Sequence, residues 1–109
     1  MNNYSFQYYH NETKQSIEKN FAKMTQLEKS IGEFFITNKA IRNFSPKKIS
    51  GLLYASEASL HRFAKKCGYK GYREFIYSYE KDIENEKNNE INEEQLNYLT
   101  NNLKSAYNT

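Results

Sequence analysis

Nine lysine and arginine side chains lie between residues 39 and 73, where Glu57 is the single acid, so this third of the chain has a net charge of +8. Residues 1–38 hold four lysines and four acids, whereas residues 80–95 hold seven acids and two lysines, a net charge of −5. Guanidinium and ammonium groups gathered in this way attract a polyanion. The charge pattern therefore predicts that the middle of the chain faces a polyanion.

Two short helices joined by a tight turn are predicted inside this basic segment, at residues 46–65. Ser45-Pro46 is a strong start signal, because proline at the first helical position loses no hydrogen bond. Ser56 is a second natural cap, in front of a helix at Glu57–Lys66. Apolar residues are predicted to lock the two helices together: Ile49, Leu53, Ala55, Leu60 and Phe63. Leu52 is expected to join the buried stripe of the first helix. This spacing is typical of a helix-turn-helix, whose second helix enters the major groove of duplex DNA.

The outward side chains of the second helix and of its leading tip are the predicted base contacts. They are Ser56, Glu57, Ala58, Ser59, His61, Arg62 and Lys65. Arg62 is the first choice, because its planar guanidinium can pair with both acceptors of guanine, and Glu57 can accept from the amino group of cytosine.

A second set of side chains is predicted to contact DNA phosphates. The set consists of Ser45, Lys47, Lys48, Lys66, Lys70, Tyr72 and Arg73. Such contacts give affinity and orientation but carry no sequence information.

Helical periodicity outside the helix-turn-helix predicts an all-α fold, a small bundle of about five helices. Thr25 and Glu28 have the spacing of a capping box, which predicts a helix at Gln26–Asn38. A short helix is predicted at about Glu12–Ala22, and another at about Tyr72–Asp82. Gly68 stands where a left-handed residue ends the second helix of the motif.

The composition also predicts how the chain is divided. Residues 1–83 are expected to form the DNA-binding domain, residues 84–95 an acidic linker, and residues 96–109 the start of a further helix. An apolar stripe on Ile91–Tyr107 keeps a second hypothesis open, a helical interaction or dimerisation module without sequence-specific DNA binding.

Catalytic and metal chemistry is not favoured by the residues present. No serine or cysteine stands beside a plausible base, and no glycine-rich phosphate loop occurs, so an enzyme is not expected. Cys67 is expected to be a small buried hydrophobe, and with His61 it lacks two further ligands for zinc. We expect no cofactor, no metal and no membrane contact. A cytoplasmic location is expected.

Three stretches of this sequence resemble the N-terminal domain of the RpiR family of bacterial sugar-phosphate-responsive transcription regulators. They are Met24-Thr-Gln-Leu-Glu-Lys-Ser-Ile, then Ser56-Glu-Ala-Ser-Leu-His-Arg-Phe-Ala-Lys-Lys-Cys-Gly-Tyr, then Lys70-Gly-Tyr-Arg-Glu-Phe. The resemblance covers Thr25–Phe75. It implies a regulator that binds an inverted repeat in double-stranded DNA as a homodimer and controls genes of sugar or phosphosugar metabolism.

This sequence departs from the family's usual pattern at two places, in the turn and in the first helix of the motif. Tyr54 stands where the turn usually has glycine, which predicts a turn that is distorted or relaxed to negative φ. Ser50 and Gly51 stand where the first helix usually has better helix formers, which predicts a less stable first helix. The phosphosugar effector would bind a sugar-isomerase-type domain that usually follows, and that domain is expected to be missing from this chain.

Overall fold

Five α-helices make up most of residues 12–87, the part of the chain that the computed structural model describes. They are α1 (Glu12–Asn20), α2 (Gln26–Thr37), α3 (Pro46–Leu53), α4 (Glu57–Lys66) and α5 (residues 72–87), with a 3₁₀ turn at Phe21–Lys23 after α1. This part of the chain contains no strand. The prediction of a small all-α bundle that contains a helix-turn-helix is confirmed.

Three helices begin where a short hydroxyl side chain was predicted to cap them. The Glu28 amide donates to Thr25 Oγ1 at 3.2 Å and the Thr25 amide donates to Glu28 Oε1 at 2.9 Å, so the capping box before α2 is complete. Ser45 Oγ accepts from the Lys48 amide at 3.2 Å before α3. Before α4, Ser56 Oγ accepts from the Ser59 amide. These contacts satisfy amides that a helix leaves unpaired at its start.

The helix that begins at residue 72 is longer than predicted. It continues through residue 87, beyond the expected end at Asp82, so residues 84–87 of the predicted linker are helical. The second half of this helix packs on α1, where the Thr13 amide donates to Asp82 Oδ2 at 2.7 Å and Lys14 Nζ lies 3.4 Å from Glu86 Oε1. The rest of the predicted linker, the helix predicted from residue 96 and the stripe on Ile91–Tyr107 lie outside the described residues.

The core is built around Phe35 of α2, which is fully buried. Its ring stacks on Phe63 of α4 at 6.0 Å between centroids, and meets Phe75 and Tyr79 of α5 edge-on at 4.9 and 5.0 Å. Each such side chain contributes about 1.5–3 kcal/mol through burial, and the edge-on pairs add to it. One aromatic cluster therefore fixes α4 against both α2 and α5.

Gly32 lets α1 and α4 approach α2 closely. A Cβ atom at this position would lie 2.9 Å from Ile17 Cγ2 and 3.4 Å from Phe63 Cε1. Both neighbours are fully buried and have no room to move away. Within residues 12–87, no helix has both the length and the hydropathy that crossing a membrane requires.

Candidate nucleic-acid interface

The helix-turn-helix consists of α3, the turn at residues 54–56 and α4. Ile49 of α3 is fully buried, as are Leu60 and Phe63 of α4, and Leu53 and Ala55 pack on this core from partly buried positions. These five residues lock the two helices as predicted. Leu52 is the exception, because it is 43% exposed. Leu52 and Leu53 flank Ile49 on opposite sides, about 60° and 40° around the helix from it, and only the side of Leu53 packs on the core.

The turn adopts a left-handed conformation at Tyr54, with φ of 54° and ψ of 43°. The Ala55 amide donates to the Ser50 carbonyl oxygen at 2.9 Å, which closes the C-terminus of α3 and requires this geometry. The prediction that the turn relaxes to negative φ is therefore wrong. For a residue other than glycine, left-handed backbone costs about 1–2 kcal/mol, and the Tyr54 side chain is 96% exposed, so packing does not offset that cost.

The exposed face of α4 contains most of the predicted base-contacting side chains. Six of them are solvent-exposed: Ser56, Glu57, Ala58, His61, Arg62 and Lys65. The opposite face, formed by Leu60, Phe63 and Ala64, is fully buried. The helix therefore presents one polar row to solvent and is held from behind by the core.

Ser59 does not belong to that row, so its predicted outward position is wrong. It is only 5% exposed, because its hydroxyl folds back onto the cap and lies 2.9 Å from Ser56 Oγ. The hydroxyl oxygen of Ser59 also accepts from Arg62 Nη2 at 3.1 Å. Ser59 thus positions the guanidinium of Arg62 and is itself shielded from a DNA base.

His61 lies against the start of α5 because residue 71 is glycine. A Cβ atom on Gly71 would lie 2.7 Å from His61 Cε1 and 2.9 Å from Nδ1. Beside this contact a groove of about 790 Å³ runs between α4, α5 and the start of α3, lined in part by Arg42, Ser45 and Arg73. Arg42 is a basic wall residue that the sequence interpretation counted in the charge but did not assign. Its membership of the +8 segment was the available signal.

Five of the predicted phosphate contacts are exposed around α4: Ser45, Lys47, Lys48, Lys70 and Arg73. In the other two, the side-chain donor group has an internal partner. Lys66 Nζ lies 3.4 Å from Glu28 Oε1 and donates to the Lys23 carbonyl oxygen at 3.1 Å. Tyr72 is buried, and its hydroxyl donates to the Phe44 carbonyl oxygen at 2.8 Å. The prediction that these two side chains are presented to phosphate is therefore corrected, because the bundle already engages their polar groups.

The pKa of the Glu28 carboxyl reflects its pair with Lys66. Burial alone would raise this pKa, but the hydrogen bond from the Thr25 backbone and the charge of Lys66 outweigh burial, so the pKa lies below its ordinary value. Lys66 and Glu28 therefore fasten the C-terminal end of α4 to the start of α2. The sequence showed Glu28 as a cap but gave no sign of this second role.

Cys67 follows α4 and is buried, as predicted. Burial, with a further contribution from the charge of Glu28, raises the pKa of its thiol to about 12. Among residues 12–87 no three histidine, cysteine or acidic side chains are grouped closely enough to hold a metal ion.

Two capped helices, a tight turn and a polar, basic outward face on the second helix define a helix-turn-helix DNA-binding domain. Residues 11–86 match the model of the rpiR family helix-turn-helix domain, and the chain belongs to that family. The match confirms the resemblance seen over Thr25–Phe75 and extends it to α1 and α5. It supports a DNA-binding domain of a transcription regulator. No curated protein sequence matches the chain.

Proposed function

We propose that α4 reads duplex DNA in a sequence-specific manner, in a regulator of sugar or phosphosugar metabolism genes. The observation that carries the proposal is the position of Arg62. Its guanidinium is held by Ser59 at 3.1 Å on the exposed face of a helix whose opposite face is fully buried. An arginine held in this way can pair with the O6 and N7 acceptors of guanine without first ordering its own helix.

The other exposed side chains support distinct parts of this activity. Glu57, His61 and Lys65 lie on the same face of α4 and are proposed to contact neighbouring bases. Ser56 and Ala58, at the leading tip, are proposed to contact the bases nearest the helix N-terminus. Phosphate contacts are assigned to the exposed residues around the helix: Ser45, Lys47, Lys48, Lys70 and Arg73. Because these contacts displace counterions, affinity should fall steeply with salt.

The wider assembly is proposed from the family. A homodimer on an inverted repeat would present two copies of α4 to successive major grooves, about 34 Å apart. A phosphosugar is proposed as the effector to which the regulator responds.

Selection of bound sequences from a pool of random duplexes tests the proposal. We expect the chain to enrich one motif, and Arg62→Ala to lower affinity for that motif by roughly tenfold to a hundredfold while changing affinity for random duplex much less. Lys19→Ala is the matched control, because Lys19 is an exposed cation on α1, which packs beside the C-terminal end of α4. Equal losses on both kinds of duplex for Arg62→Ala would refute the base-reading role, and no enriched motif would refute sequence-specific binding.

A further inference from the structure

Tyr54 combines two features that the folded domain does not itself use. Its backbone is left-handed, a conformation that glycine adopts freely and a bulky aromatic residue does not. Its side chain is 96% exposed, so it contributes almost nothing to packing. A strained residue whose side chain stabilises nothing in its own domain suggests that the side chain acts on something outside it.

The position of Tyr54 indicates what that something is. The residue ends α3 and lies two positions before Ser56, the cap of α4. In a helix-turn-helix on DNA, the N-terminal residues of the second helix enter the major groove while the first helix crosses the backbone. The turn between them therefore borders the phosphates at the edge of the groove.

The chemistry of tyrosine suits this location. A phenol hydroxyl donates a hydrogen bond to phosphate oxygen, and tyrosine is among the side chains that make such contacts. The group carries no charge, so its contact releases no counterion. It would add affinity that salt does not weaken further.

We propose that Tyr54 is a DNA-backbone contact, whose hydroxyl donates to a phosphate at the edge of the groove that α4 enters. The inference rests on the proposed function, because it places Tyr54 on the same duplex that α4 reads. It adds a phosphate-positioning residue in the turn, outside the set predicted from the sequence.

Two substitutions separate the hydroxyl from the backbone strain. Tyr54→Phe should lower affinity for specific and random duplexes by the same factor, roughly threefold to tenfold, the range of one net hydrogen bond. The slope of log affinity against log salt should stay unchanged. Tyr54→Gly should lower affinity at least as much, yet raise the melting temperature by roughly 2–6 °C, because relief of the left-handed strain outweighs the greater freedom that glycine gives the unfolded chain.

Tyr77→Phe is the matched control, because Tyr77 is an exposed tyrosine on α5 with no place in the turn. It should bind DNA as the unaltered chain does. The inference is overturned if Tyr54→Phe binds like the unaltered chain, or if Tyr54→Phe and Tyr77→Phe lose affinity equally. The inference is also overturned if Tyr54→Phe loses self-association and keeps its DNA affinity, a result that would assign Tyr54 to a protein contact. Failure of the unaltered chain to bind any duplex would instead refute the proposed function.

Discussion

Lys65 and Lys66 are neighbours on α4, and their surroundings differ. Lys65 is exposed, and no ion pair within residues 12–87 involves it. Lys66 is paired with Glu28 and bonded to the Lys23 carbonyl oxygen. We therefore expect Lys66→Gln to lower the stability of the fold, and Lys65→Gln to lower the affinity for DNA.

The size of the stability loss follows from the burial of the two partners. The Glu28 side chain is 8% exposed and that of Lys66 is 35% exposed. Removing a charge-assisted hydrogen bond to a buried partner costs about 1.5–3 kcal/mol, and the partial exposure of Lys66 reduces this to about 1–2 kcal/mol through solvent screening. For a domain of this size, the melting temperature should fall by about 4–16 °C.

Thermal unfolding and DNA titration at several salt concentrations measure both effects. Lys65→Gln should melt within about 0.5 kcal/mol of the unaltered chain and reduce the salt slope by about 1. Lys66→Gln should do the reverse, with a nearly unchanged slope. In a Glu28→Gln background, Lys66→Gln should cost less, because the buried carboxylate is gone.

The pH dependence gives an independent check on the pair. Because the folded pKa of Glu28 lies below its ordinary value of 4.5, the pair contributes stability above that value and loses it as pH falls through the folded pKa. The stability difference between the unaltered chain and Lys66→Gln should therefore shrink in acid. A Lys66→Gln variant that melts like the unaltered chain and has a reduced salt slope would refute the pairing and restore Lys66 to the phosphate contacts.

Three further predictions test the packing around α4. Gly32→Ala should lower the free energy of unfolding by about 1–2 kcal/mol, because the added Cβ overpacks against two buried neighbours. Gly51→Ala should raise it by about 0.5–1 kcal/mol, because no atom lies within 4 Å of the added Cβ. Urea unfolding measures both changes, and two changes of the same sign would contradict the packing. Tyr72→Phe should lose about 1–2 kcal/mol by leaving the Phe44 carbonyl oxygen unpaired, yet bind DNA normally once folded, and weaker binding at unchanged stability would return it to the phosphate contacts. Cys67, buried and with a thiol pKa of about 12, should resist alkylation at neutral pH until the chain unfolds, and rapid labelling of the native protein would contradict its burial.

The features that the sequence predicted correctly depend on neighbours within one helical turn. Thr25, Ser45 and Ser56 each cap an amide three residues ahead, so the spacing alone contains the information. The buried face of α4 repeats at helical intervals and is equally local.

Several contacts that the sequence analysis missed join partners far along the chain, whereas the hydroxyl of Ser59, whose inward position was also missed, bonds to Ser56 within one helical turn. The Tyr72 hydroxyl bonds to a carbonyl oxygen 28 residues away, and the Lys66 ammonium bonds to one 43 residues away. Beyond the predicted end of α5, Glu86 pairs with Lys14, which is 72 residues away. Periodicity places such side chains on a face of a helix, but only the folded bundle shows which polar group meets them.

Substitutions should alter DNA binding in two ways, either through the anchors that hold α4 in the bundle or through the exposed face of α4. Ser56 caps one end of α4, Phe63 holds its middle on Phe35, and Lys66 fastens the other end to Glu28. These contacts fix the helix in the free domain, so little ordering remains to be done when DNA arrives. A substitution that loosens an anchor should weaken binding to every sequence through the population of the folded domain. Only a substitution on the exposed face, above all at Arg62, should change which sequence the domain prefers.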